Sequence, residues 1–540
     1  LLLSMTTMLT VTTRAATEEE INEAIEKGTE WLAGKQNLDG SWGTENQLAK
    51  TGFAVLKFET HAIRQCMDPL DPSYEYYDQV RGGLDYIFLT ASTISIGMQP
   101  AGDPDTDGDG TGVHWYDLTY FTGIAMMAIA ASTHPEMMVN VAGSAVNGWT
   151  YKEVVQDAVD YFAWGQTDIG GSSRGGWWYD SMDNEWWGAD NSNTGYAVLG
   201  LAYAEAPSPY GFGLAIPAFV KSELNIWIDY IQNDVDGDSD GGSGYTDPWG
   251  WVNILKTGNL LFEMAFVGDT KQTTRVKDAV DYIERHWNDA NDEPGWRGYL
   301  GGIASYQAMY TTMKGFEALG IDTIIVDSTE VDWEEEFCEV LVTQQNPDGS
   351  WPPCIWADDP ILATEWALLT KQKVVVIPGI SVYVDIRPGS FPNPLNLKSQ
   401  GLIPVAICGT ADFDVTTIDP QTIRLTREGV EDGVAPIRWS YEDVATPYTG
   451  EPCGGHELGG DGYLDLTLKF KTQELVATLG LNAFKGEVIV LILTGNLKEE
   501  HGGTPIRGQD CVWILNVDCR DLVHIEKLTA HMLRYCLLYT

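Results

Sequence analysis

A run of tryptophans interleaved with carboxylates and amides is the stretch of this chain best equipped for chemistry. In GGWWYDSMDNEWWGADNSNTGYAVLGL, Trp177, Trp178, Trp186 and Trp187 alternate with Asp180, Asp183, Glu185, Asp190, Asn191 and Asn193. Indole faces stack on sugar rings and cations, and carboxylates and amides bond hydroxyls. These residues form a candidate ligand site, with a glycan as one ligand class that suits them. A structural reading stands beside it: the Trp pairs plug a rim, and the Asp and Asn side chains cap a helix starting at Asn191 or Ser192. Glycoside hydrolysis needs two carboxylates about 5 to 9.5 Å apart, and Asp180, Asp183, Glu185 and Asp190 are the candidates. A lyase needs a base and a charge neutraliser, and His114, Tyr116, Arg297 and Tyr299 lie in corresponding loops.

Acidic loops supply a second kind of chemistry. DVDGDSDGGSGYTD places Asp236, Asp238 and Asp240 at alternate positions, Gly241 at a turn, and Asp247 eleven residues after Asp236. That is EF-hand loop spacing, with Asp where Glu is usual. GDPDTDGDGTG offers Asp103, Asp105, Asp107 and Asp109, and DGYLD offers Asp461 and Asp465. Hard oxygen ligands at every second residue suit calcium; the alternative is a solvated Asp/Gly loop. Zinc is not expected, because no CxxC occurs, and no nucleotide cofactor is expected. No Ser-His-Asp or Cys-His signature is present.

The chain has 540 residues, with 78 Asp and Glu against 32 Lys and Arg, for a formal net charge of −46. Such a surface repels phosphates, which excludes a nucleic-acid partner. No stretch reaches the ~20 apolar residues of a membrane span. Residues 1–17, LLLSMTTMLTVTTRAAT, read as the remnant of a secretory signal, so a secreted or cell-surface location is expected. Eight cysteines are too few for a disulfide scaffold, although Cys338 and Cys354 can pair outside the cell.

The elements that must position these residues repeat. Six segments, of which EVVQDAVDYFAWGQ and RVKDAVDYIERHWND are examples, carry apolar residues at helical spacing on one face. Six others, such as LTYFTGIAMMAIAA and NTGYAVLGLAYA, are apolar nearly all round and rich in Gly and Ala. A helix apolar on every side is buried on every side. The alternation predicts an outer ring around an inner ring, an α6/α6 toroid over residues 18–372. Nearly identical heptapeptides, QNLDGSW from Gln36 and QNPDGSW from Gln345, fall where outer helices end. There Gln36 and Gln345 are expected to bond the free carbonyls of the last turn, Asp-Gly makes the turn, and Trp42 and Trp351 cover apolar surface.

The heptapeptides resemble the QW motif of squalene–hopene cyclases and the related repeats of protein prenyltransferases. The resemblance covers the first two thirds of the chain and implies the toroid. It implies an activity only weakly, because the motif is structural. The catalytic DxDD of class II cyclases is absent, with DGDSD and WADDP the nearest strings. The prenyltransferase zinc pair D-x-C is absent from the toroid, and only Lys256, Arg297 and Lys314 are placed to meet a diphosphate. Catalysis is therefore not expected to survive.

From about residue 375 to 518 the texture changes to β-branched runs such as YLDLTLKF and EVIVLILTG, separated by turn residues, which predicts an all-β sandwich. VDIRPGSFPNPLNLKSQGLIPVAI and DGYLDLTLKF resemble a module attached to secreted archaeal and bacterial proteins, which implies an accessory role. Residues 519–540 do not fit the sandwich. The expectation is a secreted or surface protein whose non-catalytic, calcium-stabilised toroid binds an extracellular ligand such as a glycan. The alternatives are a toroid enzyme, glycan-active or a divergent cyclase, and a purely structural surface protein.

Overall fold

The computed structural model describes residues 16–65, 67–168, 173–180, 188–206, 211–290, 294–298, 302–357, 359–371, 380–410, 413–427, 430, 433–448, 453, 455–498 and 505–515. Residues 1–15 of the expected signal remnant, the 519–540 tail and Asp183, Glu185, Trp186, Trp187 and Tyr299 of the candidate sites lie outside the described residues. The chain forms two compact units, Leu1–Pro378 and Gly379–Thr540.

In the first unit, one set of helices is α1 (Glu18–Ala33), α3 (Tyr77–Leu89), α5 (Tyr151–Gly165), α7 (Ala218–Ile231), α9 (Thr274–His286) and α11 (Trp333–Gln344). They alternate with α2 (Gln47–Arg64), α4 (Thr119–Ala131), α6 (Asn191–Glu205), α8 (Ile254–Phe266), α10 (Tyr306–Leu319) and α12 (Pro360–Lys371). The even-numbered helices each pack on the next, and α12 packs back on α2, so they close a ring. The odd-numbered helices pack against that ring from outside. The sequence pattern explains the division. In α9 the buried residues are Val276, Ala279, Tyr282, Ile283 and His286, a single stripe at helical spacing. In α4 every residue but Tyr120 is buried. Glycines let the inner helices touch: Gly200 of α6 lies against Gly123 of α4, where an added Cβ would be 2.9 Å from the Gly123 Cα.

The joints from outer to inner helices share their parts. The Trp42 indole donates to the Leu32 carbonyl in the last turn of α1, and Trp351 to Leu341 in α11, both at 2.8 Å. Trp115 and Trp177 repeat the bond to Ile87 and Phe162 at 2.8 and 2.9 Å. Threonines in the first turns of five inner helices, Thr51, Thr122, Thr194, Thr257 and Thr364, accept the backbone N–H at this position. The glutamine does not bond its own helix as expected. Gln36 Nε2 donates to Gly40 O and to Gln79 O in α3, and Gln345 Nε2 to Gly349 O and Ala24 O in α1. The indole has already taken the last-turn carbonyl, so the amide stitches successive outer helices, and Gln345 stitches the last to the first. Two hairpins that the helical pattern did not announce interrupt the repeat: β1 (Ala91–Ser95) with β2 (Thr111–Trp115), and β3 (Thr323–Val326) with β4 (Thr329–Asp332).

The second unit has nine strands among the described residues: β5 (Ile380–Ser381), β6 (Val384–Ile386), β7 (Pro394–Leu395), β8 (Leu402–Ile407), β9 (Ile418–Thr426), β10 (Arg438–Glu442), β11 (Asp465–Lys471), β12 (Val488–Leu497) and β13 (Pro505–Ile514). One sheet has the order β10-β11-β8-β6, and the other β5-β13-β12-β9 with β7 also on β13. Val405 and Leu468 of the first sheet and Leu425 and Leu493 of the second share one core, as two packed sheets require. A disulfide joins Cys453 to Cys511. Cys354 carries a free thiol, so the Cys338–Cys354 bridge that the sequence allows does not form. No helix among the described residues is long and apolar enough to cross a membrane.

Candidate functional site

Every loop leaving an outer helix enters the N-terminus of an inner one, so these joint loops converge on one mouth of the ring. Aromatic side chains from four of them make a continuous wall. Tyr116 meets Phe121 at 5.7 Å between ring centroids, Phe121 meets Tyr120 at 4.4 Å, and Tyr120 meets Tyr179 at 6.4 Å. The Tyr179 and Tyr245 hydroxyls are hydrogen-bonded at 2.7 Å. Tyr245 then meets Trp251 at 5.8 Å, and Trp251 meets Trp356 at 5.4 Å. Four members face solvent: Tyr116 is 52%, Tyr179 40%, Trp251 39% and Trp356 50% exposed. Tyr116, Trp251 and Trp356 have φ of 54°, 62° and 66°. Left-handed backbone at a bulky residue costs energy and persists where surrounding structure enforces it, which is frequent at ligand sites.

Polar groups stand along this wall. The Lys256 ammonium lies 4.4 Å from the Trp251 ring centroid. Lys50 pairs with Asp359. His114 stacks on Tyr161 and its Nδ1 is 3.0 Å from an Asp117 oxygen. Burial holds the His114 pKa down against the opposing charges of Asp117 and Asp180. Beneath the mouth the axis is filled. Phe53 of α2 contacts Tyr196 of α6 at 6.4 Å and Tyr310 of α10 at 6.0 Å. These helices are not neighbours in the ring, so their side chains meet at its centre. One turn further along α10, Lys314 is buried with Glu263 of α8. Burial pushes Glu263 up to about 8, opposed by Lys314, and pushes Lys314 down to about 7, opposed by Glu263.

The Trp-rich stretch proves mostly structural where it is described. Trp177 is fully buried and serves its joint as Trp42 and Trp351 serve theirs, so it is not at the rim. Asp190 caps α6, accepting from the Asn193 N–H at 2.9 Å and its Nδ2 at 2.8 Å. Asn191 Nδ2 donates to Ser243 Oγ at 2.9 Å. All three of these polar residues are buried, so a rim ligand does not reach them. Trp178 is half-buried with its edge toward Tyr179, and Asp180 is also half-buried. Arg297 is engaged by Glu336 and covers the Trp296 ring, so it is no free charge neutraliser.

The acidic loops divide. No three carboxylates of Asp236, Asp238, Asp240 and Asp247 come within 4.8 Å of one another. Arg285 and His286 Nε2 bond the Asp238 carbonyl, Arg285 also bonds the Asp240 carbonyl, and Asp247 accepts the Trp249 and Gly250 N–H groups. Asp465 is buried, its two oxygens taking N–H bonds from Gly409, Val444 and Ala445; Asp461 accepts from the Tyr463 N–H. The 103–109 loop differs. Asp105 and Asp107 gather with Asp160, and Asp107 and Asp109 with Asp157, while Asp103 stands outside both groups. Burial, then Asp109, Asp107, Asp160 and Asp105, push Asp157 up to about 8. Burial pushes Asp160 up to about 6, with Thr106 hydrogen bonds opposing. Asp157 and Asp160 escaped the sequence reading because they occupy ordinary helix positions; their three-residue spacing on a helix whose other face is apolar was the available signal.

No protein-family profile and no curated protein matches the chain. Among solved structures it is similar to the endoglucanase CelQ from Clostridium thermocellum complexed with cellotetraose, at 11% identity and a TM-score of 0.30, over 84% of this chain and 89% of that one. It is also similar to the GH127 β-arabinofuranosidase BT3674, at 11% identity and a TM-score of 0.33, over 88% of this chain and 76% of that one.

Proposed function

We propose that the toroid is a non-catalytic glycan-binding unit of a secreted or surface protein, with the ligand lying along the aromatic wall at its mouth. The observation that carries this reading is the wall itself: exposed Tyr116, Tyr179, Trp251 and Trp356, brought together from four loops. Flat aromatic faces stack on sugar rings, and the half-buried Asp180 and the Lys50-paired Asp359 are the carboxylates nearest the wall for hydroxyls. The Cys453–Cys511 disulfide supports an oxidising, extracellular setting.

The filled axis supports binding rather than carbocation chemistry. Terpenoid cyclisation requires a deep apolar cavity, whereas Phe53, Tyr196 and Tyr310 occupy the centre of this ring. Glu263, whose pKa suits a general acid, is wholly buried and level with Lys314, a turn beyond Tyr310. A glycan array with the wild-type chain, Trp251→Ala and Trp356→Ala tests the reading. At least one glycan should be bound, and each variant should bind it about tenfold more weakly. Binding to no glycan, or equal binding by all three proteins, refutes it.

A further inference from the structure

We propose that the β1–β2 loop and the outer helix α5 together form a calcium site, with Asp107, Asp109 and Asp157 as its carboxylate ligands. The loop is exposed and acidic, which alone means little. Asp157 is the telling group. It is 2% exposed, accepts no hydrogen bond from the described residues, and places an oxygen within 4.8 Å of oxygens of both Asp107 and Asp109. Calcium–oxygen bonds run about 2.3–2.6 Å, so oxygens up to about 4.8 Å apart can share one ion. No described salt bridge reaches any of these three carboxylates. A buried carboxylate facing two others, with no protein cation beside it, is the arrangement a divalent ion completes.

The neighbouring groups organise the site rather than bind. Asp105 spends its oxygens on the Gly108 and Gly110 N–H groups, at 2.8 and 2.9 Å. Asp160 holds the Thr106 N–H at 3.0 Å and its hydroxyl at 2.8 Å, clipping the loop to α5. Gly108 and Gly110, at φ of 83° and 74°, turn the chain so that Asp107 and Asp109 face the helix. Asp157 and Asp160 are three residues apart and share one face of α5. An all-oxygen set drawn from a loop and a helix suits calcium better than magnesium, which demands stricter octahedral geometry. Calcium binding here needs no ligand at the mouth.

The test is calcium titrated into the chelator-treated full chain, read by calorimetry and by thermal melting. The wild type should bind calcium saturably and melt at least ~2 °C higher with it. Asp157→Asn, which keeps size and removes the charge, should lose both responses. Asp107→Asn, on the exposed loop, should do the same and covers the case in which the first variant folds poorly. Asp238→Asn should respond as wild type. Absence of binding and of a melting shift in the wild type overturns the proposal. So does a normal response from both Asp157→Asn and Asp107→Asn, or loss of the response in Asp238→Asn alone.

Discussion

Gly123→Ala tests whether the inner ring is held as tightly as the glycines imply. A Cβ on Gly123 would sit 2.0 Å from the Tyr196 carbonyl oxygen and 2.7 Å from its carbon. Both are backbone atoms of α6, so no rotamer change relieves the clash. Restoring a tolerable 3.0 Å contact moves the helices apart by about an ångström at their crossing. Such a gap forfeits a quarter to a half of each dispersion contact it opens, and overpacking costs about 1–3 kcal/mol. Because backbone meets backbone, the upper end applies. Alanine's better helix propensity returns about 1 kcal/mol, leaving a net loss near 2 kcal/mol. For a unit of this size, Leu1–Pro378, at about 2.1 cal/mol/K of unfolding entropy per residue, that lowers the melting midpoint by about 2–3 °C. Gly97→Ala is the reference, since nothing lies within 4 Å of its added Cβ. The assay is paired thermal and urea melts of wild type and both variants. Gly123→Ala melting with wild type would falsify the close crossing of α4 and α6. The displacement also shifts Tyr196 at the ring axis, so a true clash should weaken binding at the mouth together with stability.

Two further outcomes follow from buried groups. Glu263 has a folded pKa of about 8, above its unfolded value, so its contribution is fully present below pH ~4.5 and lost as pH rises toward 8. Glu263→Gln should therefore gain on wild type in urea midpoint between pH 5 and 8; a constant difference would show that the carboxyl is not held protonated. Trp351→Phe removes the indole donor to the Leu341 carbonyl, leaving a buried acceptor and a small void, and should cost about 1–3 kcal/mol. An unchanged denaturation midpoint would mean the seam does not depend on that bond.

The ring was legible because its signals are local. Stripe or all-round apolarity decides outer or inner helix within one segment, and a Gln, Asp-Gly, Trp order marks a joint within seven residues. What those joint residues do was less legible. Gln36 could not be assigned its acceptor in α3 before the helices were placed side by side. The same logic explains Trp177. Gln166, Gly175 and Trp177 keep the joint order across a longer insertion, and Gln166 Nε2 bonds Gly175 O and Val220 O as Gln36 bonds Gly40 O and Gln79 O. Composition drew attention to the tryptophan, whereas register assigned its role.

The wall and the acidic pocket were hidden for a different reason: no window of sequence contains them. Tyr116, Tyr179, Tyr245, Trp251 and Trp356 come from four separate joints, and only ring closure puts them in one line. All but Trp356 lie in joints longer than the turn requires. The two compact joints, at Gln36 and Gln345, keep the heptapeptide, and of them only the second supplies a wall residue, Trp356. A joint that must only connect helices stays short and alike from copy to copy. The others grew loops, and those loops hold the strained aromatics at Tyr116 and Trp251 and the carboxylates beside Asp157. In a repeat ring, departures from the shared joint thus locate a candidate site better than any concentration of reactive side chains.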